Sequence, residues 1–305
     1  MQEDILRIEA VSPLGRLRSY RIANILLEFL ISTSLFLAIN GSLKIFFSET
    51  LYNMFALSAI IITFLITFST YGLNKLTDLN EDTINLPERA NTIKVLGQLF
   101  KYSVIFSYML SIFLGFLVDI STLPVLFFPL ILGTLYSLRL SRNVPRLKDI
   151  AGVKNITIAL TWSVGSTFLP LVYLSETKIM QITLIFYLFF LKSYINSILF
   201  DVRDIKGDSD NGIRTIPVYL GIKKTRTFLL FLNTTFIPWL LTSYFQGFFS
   251  KYYSLLFFSV IYGYGYILHF CREGKKIGKS LDLLVDGEWI PIAFFALVIS
   301  RTMHF

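Results

Sequence analysis

The sequence predicts an all-α integral membrane protein of nine transmembrane helices, and three observations predict it. The chain of 305 residues is 54% hydrophobic and only 16% charged, with a mean hydropathy of +0.64, too apolar for a soluble globule of that length. Its apolar residues gather in runs close to the roughly 20 that a helix needs to cross a bilayer core. Basic residues recur in alternate connections between those runs, as they do on a cytoplasmic face. A transmembrane barrel would need short stretches of alternating polarity, and "LSAIIITFLITF" and "ITLIFYLFFL" are apolar on every face.

The elements follow in order. The first 21 residues carry Glu3, Asp4, Arg7, Arg16, Arg18 and Arg21 with no preceding apolar core, so no cleavable signal peptide is expected. Span one covers roughly 22–39 and includes Glu28; span two covers 52–73 and ends in "YGLNKLTDLNEDTINLPER". Spans three and four cover 99–118 and 122–138, the latter closed by Tyr136 and Ser137. Span five covers 153–174 and opens with Lys154 and Asn155; span six covers 179–200, includes Lys192 and ends in "FDVRDIKGDSDNGIRTIP". Spans seven to nine cover 226–245, 252–270 and 283–303, which leaves one transmembrane domain over 1–305 and no room for a separate soluble one.

Charge sets the expected topology. The N-terminal arm holds four Lys or Arg, and the second, fourth, sixth and eighth connections, with the span ends beside them, hold four, five, six and four. The first, third, fifth and seventh hold one, none, one and one, so the N-terminus is expected in the cytoplasm and the C-terminus outside. The net charge of +8 is thereby a membrane-topology signal, and no nucleic-acid partner is expected. A single cysteine, Cys271, and two distant histidines, His269 and His304, exclude a disulfide and the usual Cys/His zinc site. Any metal should be a hard one held by carboxylate oxygen.

Spans two and six end on the same side, and both end in acid. Asn74, Asp78 and Asp82 are spaced by four, each about 40° from the last on a helix. Asp201, Asp204 and Asp208 form a second stripe, extended back into the span by Ser197. One such stripe alone reads as a solvated helix end. Two on one membrane face repel each other unless cations compensate. That pattern suits a diphosphate bound through Mg²⁺, which takes one or two carboxylates plus phosphate and water oxygens; two stripes suit two ions. Arg203, Lys206 and Arg214 beside one stripe and Arg89 after the other are the nearby candidates for phosphate. Between spans four and five, Arg139 and Arg142 read as topology signals and Arg146 and Lys148 lie in the loop, whereas Lys154 with Asn155, deeper at the start of span five, are the better candidates for the same site.

These residues resemble the UbiA superfamily of intramembrane prenyltransferases. The resemblance rests on Asn74-x-x-x-Asp78-x-x-x-Asp82, on Asp201-x-x-Asp204-x-x-x-Asp208 followed by "GIRTIPVYLG", and on "YS" then "RLKDIAGVKN" between them. It covers nearly the whole chain. After the first motif many relatives carry Asn-Lys-Pro-x-Arg-Pro, where this chain reads "NLPERANTIK" and keeps Asn85, Pro87 and Arg89 without the second proline. The resemblance implies a bundle around a central cavity open sideways to lipid, capped by cytoplasmic loops at about 74–98 and 201–225. It implies that Asn74, Asp78, Asp82, Asp201, Asp204 and Asp208 bind Mg²⁺, that Arg89, Lys148, Lys154 and Arg214 contact the diphosphate, and that Tyr136 and Asn155 join Asp78 and Asp204 at the reaction centre.

The implied reaction moves an isoprenyl chain from a polyprenyl diphosphate to an acceptor by ionising the allylic carbon–oxygen bond, away from water. The tail stays in apolar surroundings while the diphosphate sits at the cytoplasmic edge of a prokaryotic cell membrane. An aromatic quinone precursor, hydroxybenzoate or hydroxynaphthoate, is the first expected acceptor, and a glycerol phosphate ether of archaeal lipid synthesis the second. A divalent-cation or organic-anion transporter is the competing class, but transporters place acids near the bilayer midplane rather than at one edge. On the helical count Lys192 lies about 120° from Asp204, which points to an interhelical partner. Asp210 lies about 160° from Asp208 and falls outside the site, Arg203 and Lys206 fall on other faces, and Gly212 ends the helix before Arg214.

Overall fold

The computed structural model describes residues 13–79, 82–83, 86–137, 150, 152–210 and 212–302, with side chains for all of these except 13–21 and 134–137. Every regular element among them is helical: α1 Pro13–Ser32, α2 Leu35–Leu51, α3 Leu57–Thr77, α4 Pro87–Val118, α5 Thr122–Ser137, α6 Val153–Leu171, α7 Ile179–Asp210, α8 Ile216–Thr234, α9 Phe236–Phe245, α10 Tyr253–Phe270, α11 Ser280–Leu284 and α12 Trp289–Thr302. Single 3₁₀ turns at Ser250–Tyr252 and Asp286–Glu288 precede α10 and α12.

Each of the nine apolar stretches falls on helix, but six helical stretches are long and apolar enough to cross a membrane, or seven if α1 and α2 form one bent span. Those six leave out α5, whose described side chains stop at Gly133, and α6, which is diluted by Lys154, Asn155, Thr157, Thr161, Ser163, Ser166 and Thr167. The first span also differs from expectation. The chain bends by 72° at the α1–α2 junction, where Ser34 has φ 68°, and then stays helical to Leu51. Lys44, expected in a loop, is therefore inside the bundle and 5% exposed. The polar run around it looked like a connection because its partners are distant in sequence. Ser48 Oγ donates to the Ser166 carbonyl at 2.5 Å, and Lys44 Nζ donates to Ser193 Oγ at 3.4 Å.

Helices adjacent in sequence pack on each other from α2 to α8, α8 packs on α10, α10 on α12, and α12 returns to α2, closing a ring. The largest apolar core lies on the α2, α7, α8, α10 and α12 side, around Phe47, Phe189, Ile195, Leu229 and Trp289. On the outside Leu99, Phe106, Met109 and Phe245 are more than half exposed, as lipid-facing side chains are.

Two glycines place the segments after the acidic stretches. Gly97 has φ 50° and ψ −125°, and Gly221 has φ 75° and ψ 163°, conformations closed to residues with a Cβ except at a cost of roughly 1–3 kcal/mol. Each sits inside a merged helix and separates a short first piece, started by Pro87 or by Pro217, from the apolar piece that follows. Acidic stretch, short helix, glycine break and span thus recur in both halves.

Candidate active site

The second acidic stretch is continuous with α7, and the residues facing it come from the start of α6. Asp201 is fully buried, and its two oxygens accept from Lys154 Nζ at 2.9 Å and Asn155 Nδ2 at 2.7 Å. Gly152, at φ 81°, turns the chain immediately before α6 and delivers these two side chains to Asp201. Lys154 is 43% exposed, although the carboxylate that its ammonium binds is fully buried. Asp208, about one turn on from Asp204, has a buried Oδ2, with the Thr215 side chain beside its carboxylate and Lys154, Asp201 and Asp204 within electrostatic reach. A buried carboxylate oxygen among other carboxylates is suited to a hard divalent cation.

The first stretch begins where α3 ends. The Asp78 N–H donates to the Asn74 carbonyl at 2.9 Å, and the same four-residue step recurs from Asp82 to Asp78 and from Leu86 to Asp82, each at 2.8 Å. Asn74 and Asp78 are exposed, and Thr77 Oγ1 donates to Asp78 Oδ1 at 3.3 Å. Asp82 is buried and receives both Nε, at 2.8 Å, and Nη2 of Arg89.

Asp204 also receives a guanidinium, from its neighbour Arg203, with Nε at 2.8 Å and Nη2 at 3.0 Å. The helical count had put Arg203 on another face, but its long side chain folds back. Arg214 is exposed in the turn after Gly212, and Lys206 and Asp210 are exposed on α7. Tyr136 lies on α5 without a described side chain, and Lys148, with Arg139, Arg142, Arg146 and Asn85, lies outside the described residues.

Among the described residues no three carboxylate, His or Cys side chains are grouped closely enough to hold one ion. Instead Asp82, Asp201 and Asp204 are each held by a basic side chain. The oxygen-only donor set fits a hard cation chemically, provided that those basic groups yield. Cys271 takes no part: it is buried, and burial pushes its thiol up to about 12 against the pull of Arg226.

The sequence reading missed the segment "KSLDLLVDGEW". Asp282 Oδ2 lies 3.6 Å from Arg203 Nη1 and within electrostatic reach of Lys75 and Arg89. Lys279 bridges Glu28 at 3.1 Å and Glu88 at 3.5 Å; burial works against its charge, but the two carboxylates outweigh it and raise its pKa. The missed signal was present, since Asp282-x-x-x-Asp286 repeats the spacing of Asp78 to Asp82 and of Asp204 to Asp208. Deeper in the bundle Lys44 sits 3.8 Å from the Trp162 ring and 5.2 Å from that of Trp289, and Trp162 donates to Tyr71 at 2.8 Å. A pocket of about 440 Å³ lies elsewhere, lined by Leu51, Lys178, Gln181 and Phe248. It opens at the other end of α7, some 30 Å from Asp201 at 1.5 Å per residue, so it is not the cavity expected between the acidic stretches.

Comparison with known proteins identifies the family and the fold. The chain is 27% identical over 258 residues to a digeranylgeranylglyceryl phosphate synthase from Methanosphaera stadtmanae, covering 81% of this chain and 88% of that one. It is 28% identical over 200 residues to the enzyme of the same name from Sulfurisphaera tokodaii, covering 62% and 66%. Its fold matches a UbiA homologue from Archaeoglobus fulgidus solved with GPP and Mg²⁺, with a TM-score of 0.64 and 14% identity over 90% of this chain and 98% of the other. The sequence pattern of the UbiA prenyltransferase family matches residues 29–297, and the chain belongs to that family.

Proposed function

We propose that this prenyltransferase moves a polyprenyl chain from its diphosphate to a glycerol phosphate ether, with Mg²⁺ required and pyrophosphate released. The observation that carries the acceptor is that both curated relatives are named digeranylgeranylglyceryl phosphate synthase. The glycerol ether, second in the sequence reading, therefore displaces the aromatic quinone precursor. The transporter reading falls with family membership.

In this reading Asn74, Asp78, Asp82, Asp201, Asp204 and Asp208 hold two Mg²⁺ ions, and Arg89, Lys148, Lys154 and Arg214 hold the diphosphate. Bound Mg²⁺ supplies positive charge against the departing pyrophosphate. Asp201 holds Asn155 and Lys154 at the wall of the reaction centre, so that both are oriented before substrate arrives. Tyr136, on α5, joins them at the reaction centre. Lys154 and Arg89 take up phosphate charge as the carbon–oxygen bond breaks, and the acceptor hydroxyl attacks the allylic carbon and gives its proton to the departing pyrophosphate. The apolar ring of helices receives the prenyl tail and keeps water from the cation. The chain acts as one domain, 1–305, with nine spans, the N-terminus and the site at the cytoplasmic face of a prokaryotic membrane, the C-terminus outside, and 74–98 and 201–225 as caps.

The test is an acceptor panel with labelled geranylgeranyl diphosphate and mass spectrometry of the lipid product. A diether phosphate formed from the glycerol phosphate monoether, with no product from hydroxybenzoate or hydroxynaphthoate, is the expected result. Prenylated aromatic acid alone would overturn the acceptor assignment.

A further inference from the structure

Arg203 holds both oxygens of Asp204, at 2.8 and 3.0 Å, with its guanidinium 5.0 Å from the Phe200 ring and its side chain 18% exposed. A carboxylate gripped this way is a poor ligand for a divalent cation, because both of its oxygens are already taken and the guanidinium repels the incoming charge at close range. Arg203 must therefore move off Asp204 for the second stretch to bind metal. A half-buried guanidinium that loses its carboxylate and finds no other is costly.

The replacement partner is already in place. Asp282 Oδ2 stands 3.6 Å from Nη1, the nitrogen that Asp204 does not use, and a shift of about 0.7 Å brings the pair to ordinary hydrogen-bond distance. Asp282 belongs to α11, and it also acts on Arg89, the cation that grips Asp82, and on Lys75. It therefore stands between the basic groups of both acidic stretches. Asp286, one turn on, lies within electrostatic reach of Arg203 as well.

We infer that Asp282 is a positioning residue that takes Arg203 from Asp204 when Asp204 is given up to a divalent cation. The inference rests on the metal role proposed for Asp204. It assigns to the "SLDLL" segment a part in metal loading rather than in contact with substrate.

The test is Mn²⁺ binding to the full-length protein in detergent, followed by electron paramagnetic resonance without any prenyl substrate. Asp282→Asn is expected to weaken binding about tenfold, the scale at which groups behind a metal ligand act. Arg203→Gln in the Asp282→Asn background is expected to restore it, since the competing cation is gone; a merely structural Asp282 gives no such rescue. Wild-type binding in Asp282→Asn, or no recovery in the double variant, overturns the inference. Should Asp282→Asn fail to fold, Arg203→Gln alone is expected to tighten Mn²⁺ several-fold, and unchanged or weaker binding overturns the inference by itself. Asp204→Ala that binds Mn²⁺ as well as wild type removes the metal role of Asp204 and the inference with it. Loss of binding in Asp204→Ala beside normal binding in Asp282→Asn overturns the inference alone.

Discussion

Asp201→Ala is expected to lower turnover by at least about 10²-fold and to destabilise the bundle as well. Asp201 is fully buried and binds the Lys154 ammonium and the Asn155 amide with one oxygen each, so its removal takes from the α6–α7 contact the acceptor that the buried Asn155 amide uses. Lys154, being partly exposed, can turn to water; Asn155, 1% exposed, cannot. The stability loss should therefore be that of an unsatisfied buried amide, about 1–3 kcal/mol, while the activity loss reflects a misplaced reaction-centre wall and a lost proposed metal ligand. Unfolding midpoints in detergent and single-turnover rates separate the two. Asp201→Asn, which keeps an acceptor oxygen, should recover most of the stability and little of the activity.

Lys192→Met is expected to cost about 3–5 kcal/mol of stability. Lys192 is fully buried, donates to Glu288 Oε2 at 3.1 Å and to the Ser259 carbonyl at 2.8 Å, and lies 5.8 Å from the Phe236 ring and 5.5 Å from that of Tyr266. Its loss strands a fully buried carboxylate whose second oxygen already has no partner. The double variant Lys192→Met with Glu288→Met removes both charges and should regain most of the loss, because a buried ion pair and an apolar pair of similar volume are often close in energy. Chemical unfolding in detergent checks both. A single variant within about 1 kcal/mol of wild type contradicts the assignment of this pair as the tie between α7 and the turn before α12.

How much of this was legible in the sequence depended on whether the deciding contact was local. Hydropathy is local, and each apolar stretch duly falls on helix. The stripe of Asp201, Asp204 and Asp208 is local too, and α7 runs through all three. Lys192 was read as needing an interhelical partner, and Glu288 supplies it. The run from Asn40 to Glu49 misled because its polar side chains are satisfied by residues such as Ser166, far along the chain. The helical count misplaced Arg203 because it locates a Cβ, not the end of a long side chain. Asp282 was invisible for a different reason. Only the closure of the ring by α12 on α2 brings the segment before it against both acidic stretches, and no local pattern encodes that closure.

The central claim, Mg²⁺-dependent prenyl transfer at the two acidic stretches, is tested most directly by pyrophosphate release from labelled geranylgeranyl diphosphate and acceptor across a Mg²⁺ titration. Wild-type protein is expected to release pyrophosphate with Mg²⁺ and to stop with a chelator, and Asp78→Ala and Asp204→Ala, each folded, are expected to release none at any Mg²⁺ concentration. Release by both variants at the wild-type rate, or wild-type release that persists without Mg²⁺, would contradict the account.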